Sequence, residues 1–285
     1  MKKSRKSRTR IRFKRIFFLL FILLLGIFLS VSIFLYFRNF STGPAKEDIS
    51  YTLFIGTDPE TNSQADAVLL TVLNHKTQEV SFVSIPANTS ISSYDKDKKQ
   101  QLLRDVYSSG GTEAMKSAVE NMLHIRIDKY AVFTPEDFIY FIDRANGLQL
   151  YVEQNMQHVD ADGNLDIDIH QGVQNLDGNT AFEYARFLDQ KDGELGRIQR
   201  QERLLKNFIS VLQDKSSLMN WLLVKYYWKA SETNLSSSEA ANFVYHLTNI
   251  PSDHLRYEIL PGEKGKVKNQ ETWMINPVEV QELLV

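Results

Sequence analysis

The chain has no cysteine among its 285 residues. That excludes disulfides, thiolate metal sites and cysteine nucleophiles, so an exported domain of this size has to rest on a large core. No Gly-x-Ser-x-Gly elbow occurs, no glycine-rich nucleotide loop is present, and none of the six histidines stands in a spacing such as His-Glu-x-x-His. Serine triads, P-loop nucleotide chemistry and histidine-held zinc therefore find no support. Internal repeats are absent too. Acidic residues are missing from positions 1–38, which hold ten Lys or Arg.

What is present begins with an apolar run. Ile16 to Phe37 carries no charge, and its only hydroxyls are Ser30, Ser32 and Tyr36. At ~1.5 Å rise per residue, a helix of this length crosses the ~30 Å hydrocarbon layer of a bilayer. Nine Lys or Arg residues precede it, and the positive-inside bias assigns them to the cytoplasm. The pattern predicts a basic cytoplasmic tail (1–15), one transmembrane helix (16–37), a linker (38–50) and an extracellular domain (51–285) of a single-pass cell-membrane protein. A cleaved signal peptide is the competing reading. It calls for an apolar core of roughly 7–15 residues and a small-residue cleavage site. This run is longer, and bulky Tyr36-Phe37-Arg38-Asn39-Phe40 closes it.

Charge divides the chain. Beyond residue 38 stand 23 of the 33 basic residues and all 35 acidic ones, a net of about −12. Nucleic acid is excluded as a partner for such a surface, because phosphate backbones need a basic stripe. The tail is a topology signal and a contact for anionic lipid.

Three strand-like runs, Tyr51–Gly56, Asp66–Leu73 and Glu79–Ile85, open the outer part, with Asn74-His75-Lys76-Thr77 as a turn between the last two. Charged, irregular residues from Ile91 to Gln101 predict a surface loop. Met115, Ala118, Val119 and Met122 mark a helix over Thr112 to His124. A strand at Asp128–Phe133 is followed by a helix with Thr134 as N-cap and Pro135 at its first position. Gly147 ends that helix, and Leu148–Val152 returns as a strand. Helices are expected at about 177–188, 194–213, 216–230 and 236–248, with a closing strand at Arg256–Leu260. Strands alternating with helices argue for an α/β layered domain.

Four constellations bear on chemistry. Gly56-Thr57-Asp58 ends the first strand and Asp66 opens the second. Two carboxylates there could converge on Mg²⁺, or Asp58 could close an Asx-turn before Pro59 and Asp66 cap a loop. Tyr184-Ala185-Arg186 is followed by Gly196-Arg197-Ile198-Gln199-Arg200-Gln201. Arg197, Arg200 and Gln201 share one helix face near an N-terminus that favours anions. They suit a pyrophosphate clamp, or equally a solvated face paired with Glu194 and Glu202. Asp160 to Asp168 departs from a calcium loop and predicts a hairpin turn at Asp162-Gly163-Asn164. Trp221-Leu222-Leu223 with Tyr226-Tyr227-Trp228 is expected to pack as core, or else to line a lipid groove or rest on a membrane.

Taken in order, these segments resemble one family, the LytR-CpsA-Psr proteins of bacterial cell envelopes. The resemblance rests on the basic tail and span, Leu53-Phe54-Ile55-Gly56-Thr57-Asp58, Asp66, and Val80-Ser81-Phe82-Val83-Ser84-Ile85-Pro86. It continues through Val106-Tyr107-Ser108-Ser109-Gly110-Gly111, Ile127-Asp128-Lys129-Tyr130, and Ile142-Asp143 before Asn146-Gly147-Leu148. Its strongest parts are Leu176-Asp177-Gly178 to Arg186 and Gly196-Arg197 to Arg200-Gln201. Together they cover roughly residues 51–213.

The resemblance implies a mixed central β-sheet sandwiched between helical layers. It implies a phosphotransferase moving a glycopolymer, of the teichoic acid or capsule type, from polyprenyl pyrophosphate to a peptidoglycan hydroxyl. Asp58 and Asp66 would hold Mg²⁺. Arg186, Arg197, Arg200 and Gln201 would bind the pyrophosphate, with Asp66, Arg186 and Arg197 at the chemistry. Phe138, Phe141, Phe182 and Phe187 are candidates for an apolar channel, or plain core. Five positions in three segments depart from the family pattern. Ala87 and Asn88 stand where it has Arg and Asp, Leu188 stands where it has a second Arg, and Leu102 and Arg104 stand where it has Lys and Asn. Arg104 could replace a lost cation. A catalytically weakened homologue that binds lipid-linked precursors and regulates or scaffolds the envelope is the alternative.

Overall fold

A computed structural model describes residues 48–58, 64–91, 101–160, 162–189, 191–267 and 270–284. The expected tail and span, with most of the linker and of the loop at 91–101, lie outside the described residues. Among the described residues no helix is long and apolar enough to cross a membrane.

The chain starts as an antiparallel meander of β1 (Ile49–Asp58), β2 (Gln64–Asn74) and β3 (Glu79–Ile85). The short pair β4 (Ser90–Ile91) and β5 (Gln101–Leu102) leads into α1 (Leu103–Leu123), β6 (Lys129–Phe133) and α2 (Pro135–Arg144). Then come β7 (Leu148–Val152), the hairpin of β8 (Met156–Val159) and β9 (Leu165–Ile169), and β10 (Gly172–Leu176). Next are α3 (Gly178–Arg186), α4 (Gly193–Gln213), α5 (Ser217–Tyr227), β11 (Glu232–Thr233) and α6 (Ser237–Asn249). The chain closes with β12 (Leu255–Ile259), β13 (Gly262–Val267), β14 (Gln270–Ile275) and α7 (Pro277–Leu283).

Six strands form the main sheet in the order β11-β6-β1-β2-β3-β12. Its β1–β6 and β3–β12 pairs are parallel and the others antiparallel, so the sheet is mixed. One face buries Leu53, Ile55, Leu70, Val83 and Ile85 against Met115, Val119 and Leu123 of α1 and Val280 of α7. The other face buries Val80 and Phe82 against Ile209 of α4 and Leu247 of α6. Alternation along the strands feeds both layers, as period-2 side chains require. A third cluster joins β7 to β10 with α3 and α4 through Leu148, Met156, Ile169, Tyr184 and Leu204.

Local chemistry explains several boundaries. Thr134 accepts from the Asp137 N–H, and Asp137 answers to the Thr134 N–H, a full capping box at the start of α2 with Pro135 at its first position. Asp177 caps α3 by accepting from Thr180 N–H at 2.9 Å. Asp160 closes the β8–β9 turn, accepting from the Asp162 and Asn164 amides.

Two expectations need correction. The helix read over Thr112 to His124 begins at Leu103, because Leu103 and Val106 are buried as its first turn. Gly111, at φ +64°, interrupts the helix and resets its apolar periodicity, so only the stretch after the kink reads as periodic. The aromatic stripe expected to be core is not core: Asn220 is the one buried residue of α5. Leu218, Met219, Leu223, Tyr226 and Tyr227 are exposed. This helix is apolar around its circumference, so sequence alone does not say which side is covered.

Candidate functional site

Asp66 owes its position to a bulge. The β1–β2 register pairs Gly56 with Ala67 and Thr57 with Ala65, leaving Asp66 as the extra residue. A bulge re-aims a side chain that the regular pleat would have turned elsewhere. Gly56 permits it, since a Cβ there would lie 3.1 Å from the Cβ of Ala67. Asp58 ends β1, its backbone paired with Gln64.

Arg197 reaches Asp66 from the first turns of α4, with Nη1 to Oδ1 at 3.5 Å. Its Nη2 donates to Glu194 at 2.9 Å. Glu194 also accepts from the Ala87 N–H at 3.2 Å, and an acid in the first turn suits the helix dipole. Unit charges ~4 Å apart attract by about 4 kcal/mol at a partly buried site, before desolvation is subtracted. The Ser-Ile-Pro turn thus meets α4 through a carboxylate, at the position where the family pattern has Arg. Asn88 looks away: its Nδ2 donates to the Glu271 carbonyl at 3.3 Å.

Arg104 joins this corner through its main chain. Its N–H donates to the Ala87 carbonyl at 2.9 Å, and the Leu103 N–H donates to Thr89. The start of α1 is therefore pinned beside Ala87. Among the described residues the Arg104 side chain makes no hydrogen bond or ion pair.

Arg186, Arg200 and Gln201 turn to other partners. Arg186 donates to Asp166 at 2.7 Å, and Asp166 also holds His158 at 2.6 Å. Burial works to raise the Asp166 carboxyl, but bonds to His158 and Arg186 outweigh it and leave the group below its ordinary range. Arg200 is 2% exposed. It donates to the Phe187 carbonyl at 2.6 Å, meets Glu153 at 3.4 Å and lies over the Phe187 ring. A buried guanidinium needs such acceptors. Here it satisfies the end of α3 rather than meeting Asp66. Gln201 donates to the Ala185 carbonyl at 3.4 Å.

Glu153, which sequence reading passed over, collects Arg200, Arg203 and the Tyr184 hydroxyl. Burial pushes the Tyr184 phenol up to about 12. No spacing marks Glu153, because its partners lie on α3 and α4. The Nε atoms of Arg186, Arg197 and Arg200 are all buried without an acceptor among the described residues. Buried donors are rarely left so.

On the α4–α6 side of the sheet lies an aromatic cluster. Phe54 stacks on Phe133 at 6.2 Å and meets Phe243 at 6.2 Å. Phe133 takes Phe141 and Trp228 edge-on at 5.8 and 5.9 Å. All five rings are only partly buried. Of the four phenylalanines expected beside a channel, Phe141 belongs to this cluster. Phe138 and Phe182 face each other at 6.2 Å, and Phe187 is core.

The LytR_cpsA_psr family model matches residues 38–284. This chain belongs to that family. As a LytR_cpsA_psr protein it is 29% identical over 182 residues to the polyisoprenyl-teichoic acid–peptidoglycan teichoic acid transferase TagV of Bacillus subtilis, covering 62% of this chain and 46% of TagV. It is 25% identical over 171 residues to the regulatory protein MsrR of Staphylococcus aureus, covering 58% and 50%. The chain spans about half the length of the curated relatives it matches. The crystal structure of B. subtilis TagV superposes with a TM-score of 0.70 at 23% identity, covering 84% of this chain and 96% of that one. TagT with bound octaprenyl pyrophosphate superposes at 0.62 and 20% identity, covering 85% and 91%. The mixed sheet between helical layers is thus the fold of the LytR_cpsA_psr proteins.

Among the described residues no group of three His, Cys, Asp or Glu side chains gathers as a metal cage. Mg²⁺ asks for less: one or two carboxylates, with waters and phosphate oxygens completing its shell. Asp66, with its side chain 31% exposed, offers hard oxygens of that kind.

Proposed function

We propose that this chain is a membrane-anchored, extracellular phosphotransferase that moves a glycopolymer from polyprenyl pyrophosphate to peptidoglycan. The observation that carries the reading is the facing of Asp66 and Arg197, with the main chain of Arg104 held at Ala87 nearby and its side chain without a partner among the described residues. Arg197, braced by Glu194, would bind the pyrophosphate oxygens through its planar fork. Arg104 would add a second cation in place of the Arg absent at Ala87. Arg186, engaged by Asp166, stays outside this clamp. As a peptidoglycan hydroxyl displaces polyprenyl phosphate, negative charge grows on the departing phosphate, and fixed cations are worth most there. Mg²⁺, held by Asp58 and Asp66, would supply further neutralisation of that charge. The partly buried aromatic cluster would serve as the apolar bed for the isoprenoid.

A second reading is favoured by Ala87 and Asn88: a homologue that binds lipid-linked precursors with little turnover and acts as an envelope regulator or scaffold. Loss of one preorganised donor costs ~3 kcal/mol, a hundredfold or more in rate. Full-length protein mixed with lipid-linked glycan and peptidoglycan decides between them. Release of polyprenyl phosphate supports the transferase. Tight binding without release, under conditions where TagV turns over, supports the regulator.

A further inference from the structure

Helix α5 breaks the rule that apolar side chains face inward. Leu218 is 63% exposed, Met219 54% and Tyr226 77%. Met219, Leu223 and Tyr226 lie at i, i+4 and i+7, so they form one continuous stripe. Exposed apolar patches of this kind mark interaction surfaces.

Cations flank the stripe and sit among rings. Lys225 Nζ lies 4.6 Å from the Trp221 ring centroid, Arg144 lies 4.5 Å from that of Tyr227, and Lys229 lies 5.7 Å from that of Tyr140. Residues 214–230 carry three lysines and one acid, in a domain whose other surface is acidic; Asp137, buried, pairs with Lys229 at 3.0 Å. Aromatic rings beside cations, over an apolar stripe, are the composition of a helix lying in a bilayer interface. Trp228, directly after α5, packs into the aromatic cluster through Phe133 and Phe141. The stripe therefore runs on into the proposed isoprenoid bed.

We infer that the outer face of α5 seats on the surface of an anionic bilayer, where it opens the aromatic cluster towards hydrocarbon so that a polyprenyl chain enters from the membrane. The inference rests on the reading that the chain works at a bilayer. The eleven residues 38–48 between the apolar run and β1 span at most about 40 Å, so such an anchor keeps the domain within reach of the lipid. A second copy is a poorer occupant, because two-fold pairing brings Lys225, Lys229 and Arg144 against their own counterparts.

The absence of cysteine makes the test direct. Full-length Leu223→Cys, and Glu113→Cys on the opposite helical layer as the control, carry an environment-sensitive fluorophore in phosphatidylglycerol vesicles. The 223 label is expected to shift to the blue and lose most of its emission to acyl-chain-borne quenchers, while the 113 label stays open to aqueous iodide. Lys225→Glu and Lys229→Glu together are expected to weaken the effect, as is phosphatidylcholine. Equal iodide access at both positions overturns the inference. So does a 223 label shielded in detergent with a doubled mass, which makes a second copy the occupant. Flotation with vesicles at high salt tests the anchor separately. A chain that fails to float but whose 223 label is quenched on adding vesicles removes the anchor and keeps the α5 surface.

Discussion

The Asp66 carboxylate and the Arg197 guanidinium meet at 3.5 Å although 131 residues separate them. Arg197 is held from its other side by Glu194 at 2.9 Å. The pairing sets a cation and an acid side by side, the charges that the proposed pyrophosphate and its metal counter-ion would need.

Replacing Arg197 with Lys keeps the charge and removes the fork. Hydrogen bonds to charged groups contribute ~1.5–3 kcal/mol, so binding of a polyprenyl pyrophosphate should weaken about tenfold or more. Titration calorimetry measures this. Unchanged affinity would remove Arg197 from the clamp.

Arg104 offers a cleaner separation of binding from folding. Its side chain pairs with nothing among the described residues, so Arg104→Ala should leave stability within about 0.5 kcal/mol. The same variant should bind the pyrophosphate less tightly. A thermal melt beside a binding isotherm reads both, and equal affinity would return Arg104 to the surface.

Gly56 carries the bulge. Gly56→Val forces side-chain atoms against Ala67, and overpacking of this sort costs roughly 1–3 kcal/mol. In a domain of this size the melting temperature should fall by about 2–4 °C per kcal/mol. Affinity should drop with it as Asp66 loses its aim. A melt identical to wild type would contradict the close contact.

Acid stability follows from two carboxylates. Asp177 is held low by the Thr180 N–H it caps, and Asp166 by His158 and Arg186 acting against burial. Groups lowered on folding stabilise above the unfolded carboxylate value of ~3.9, and that contribution disappears as pH falls through their folded values. Asp177→Asn keeps the cap but removes one titration. Urea melts from about pH 5 to about pH 2 should therefore lose less stability in the variant than in wild type. Parallel losses would contradict the assignment.

The strands of the meander, α2 with its Thr134 cap and the β8–β9 turn were legible because each is signalled within a few residues. Arg197 and Asp66 could be picked out by type and helix position, but their meeting is a product of topology. Arg200 shows the limit. Spacing put it on the face of Arg197, yet three residues turn a helix by 300°, enough to point it at Phe187 and Glu153 instead. The α5 stripe failed for a related reason: hydrophobic residues all round a helix carry no direction. Glu153 gave no signal at all, since its importance lies in what three distant side chains need.

The 131-residue separation also orders the protein's biogenesis. Strands β1 to β3 emerge early from the ribosome and pair locally, yet the carboxylate they carry has no guanidinium opposite it until α4 has been made. Closing so long a loop is slow, and domains generally fold as units. A nascent chain thus spends most of its synthesis without the Asp66–Arg197 pair, which closes only once the helical half of the fold is in place.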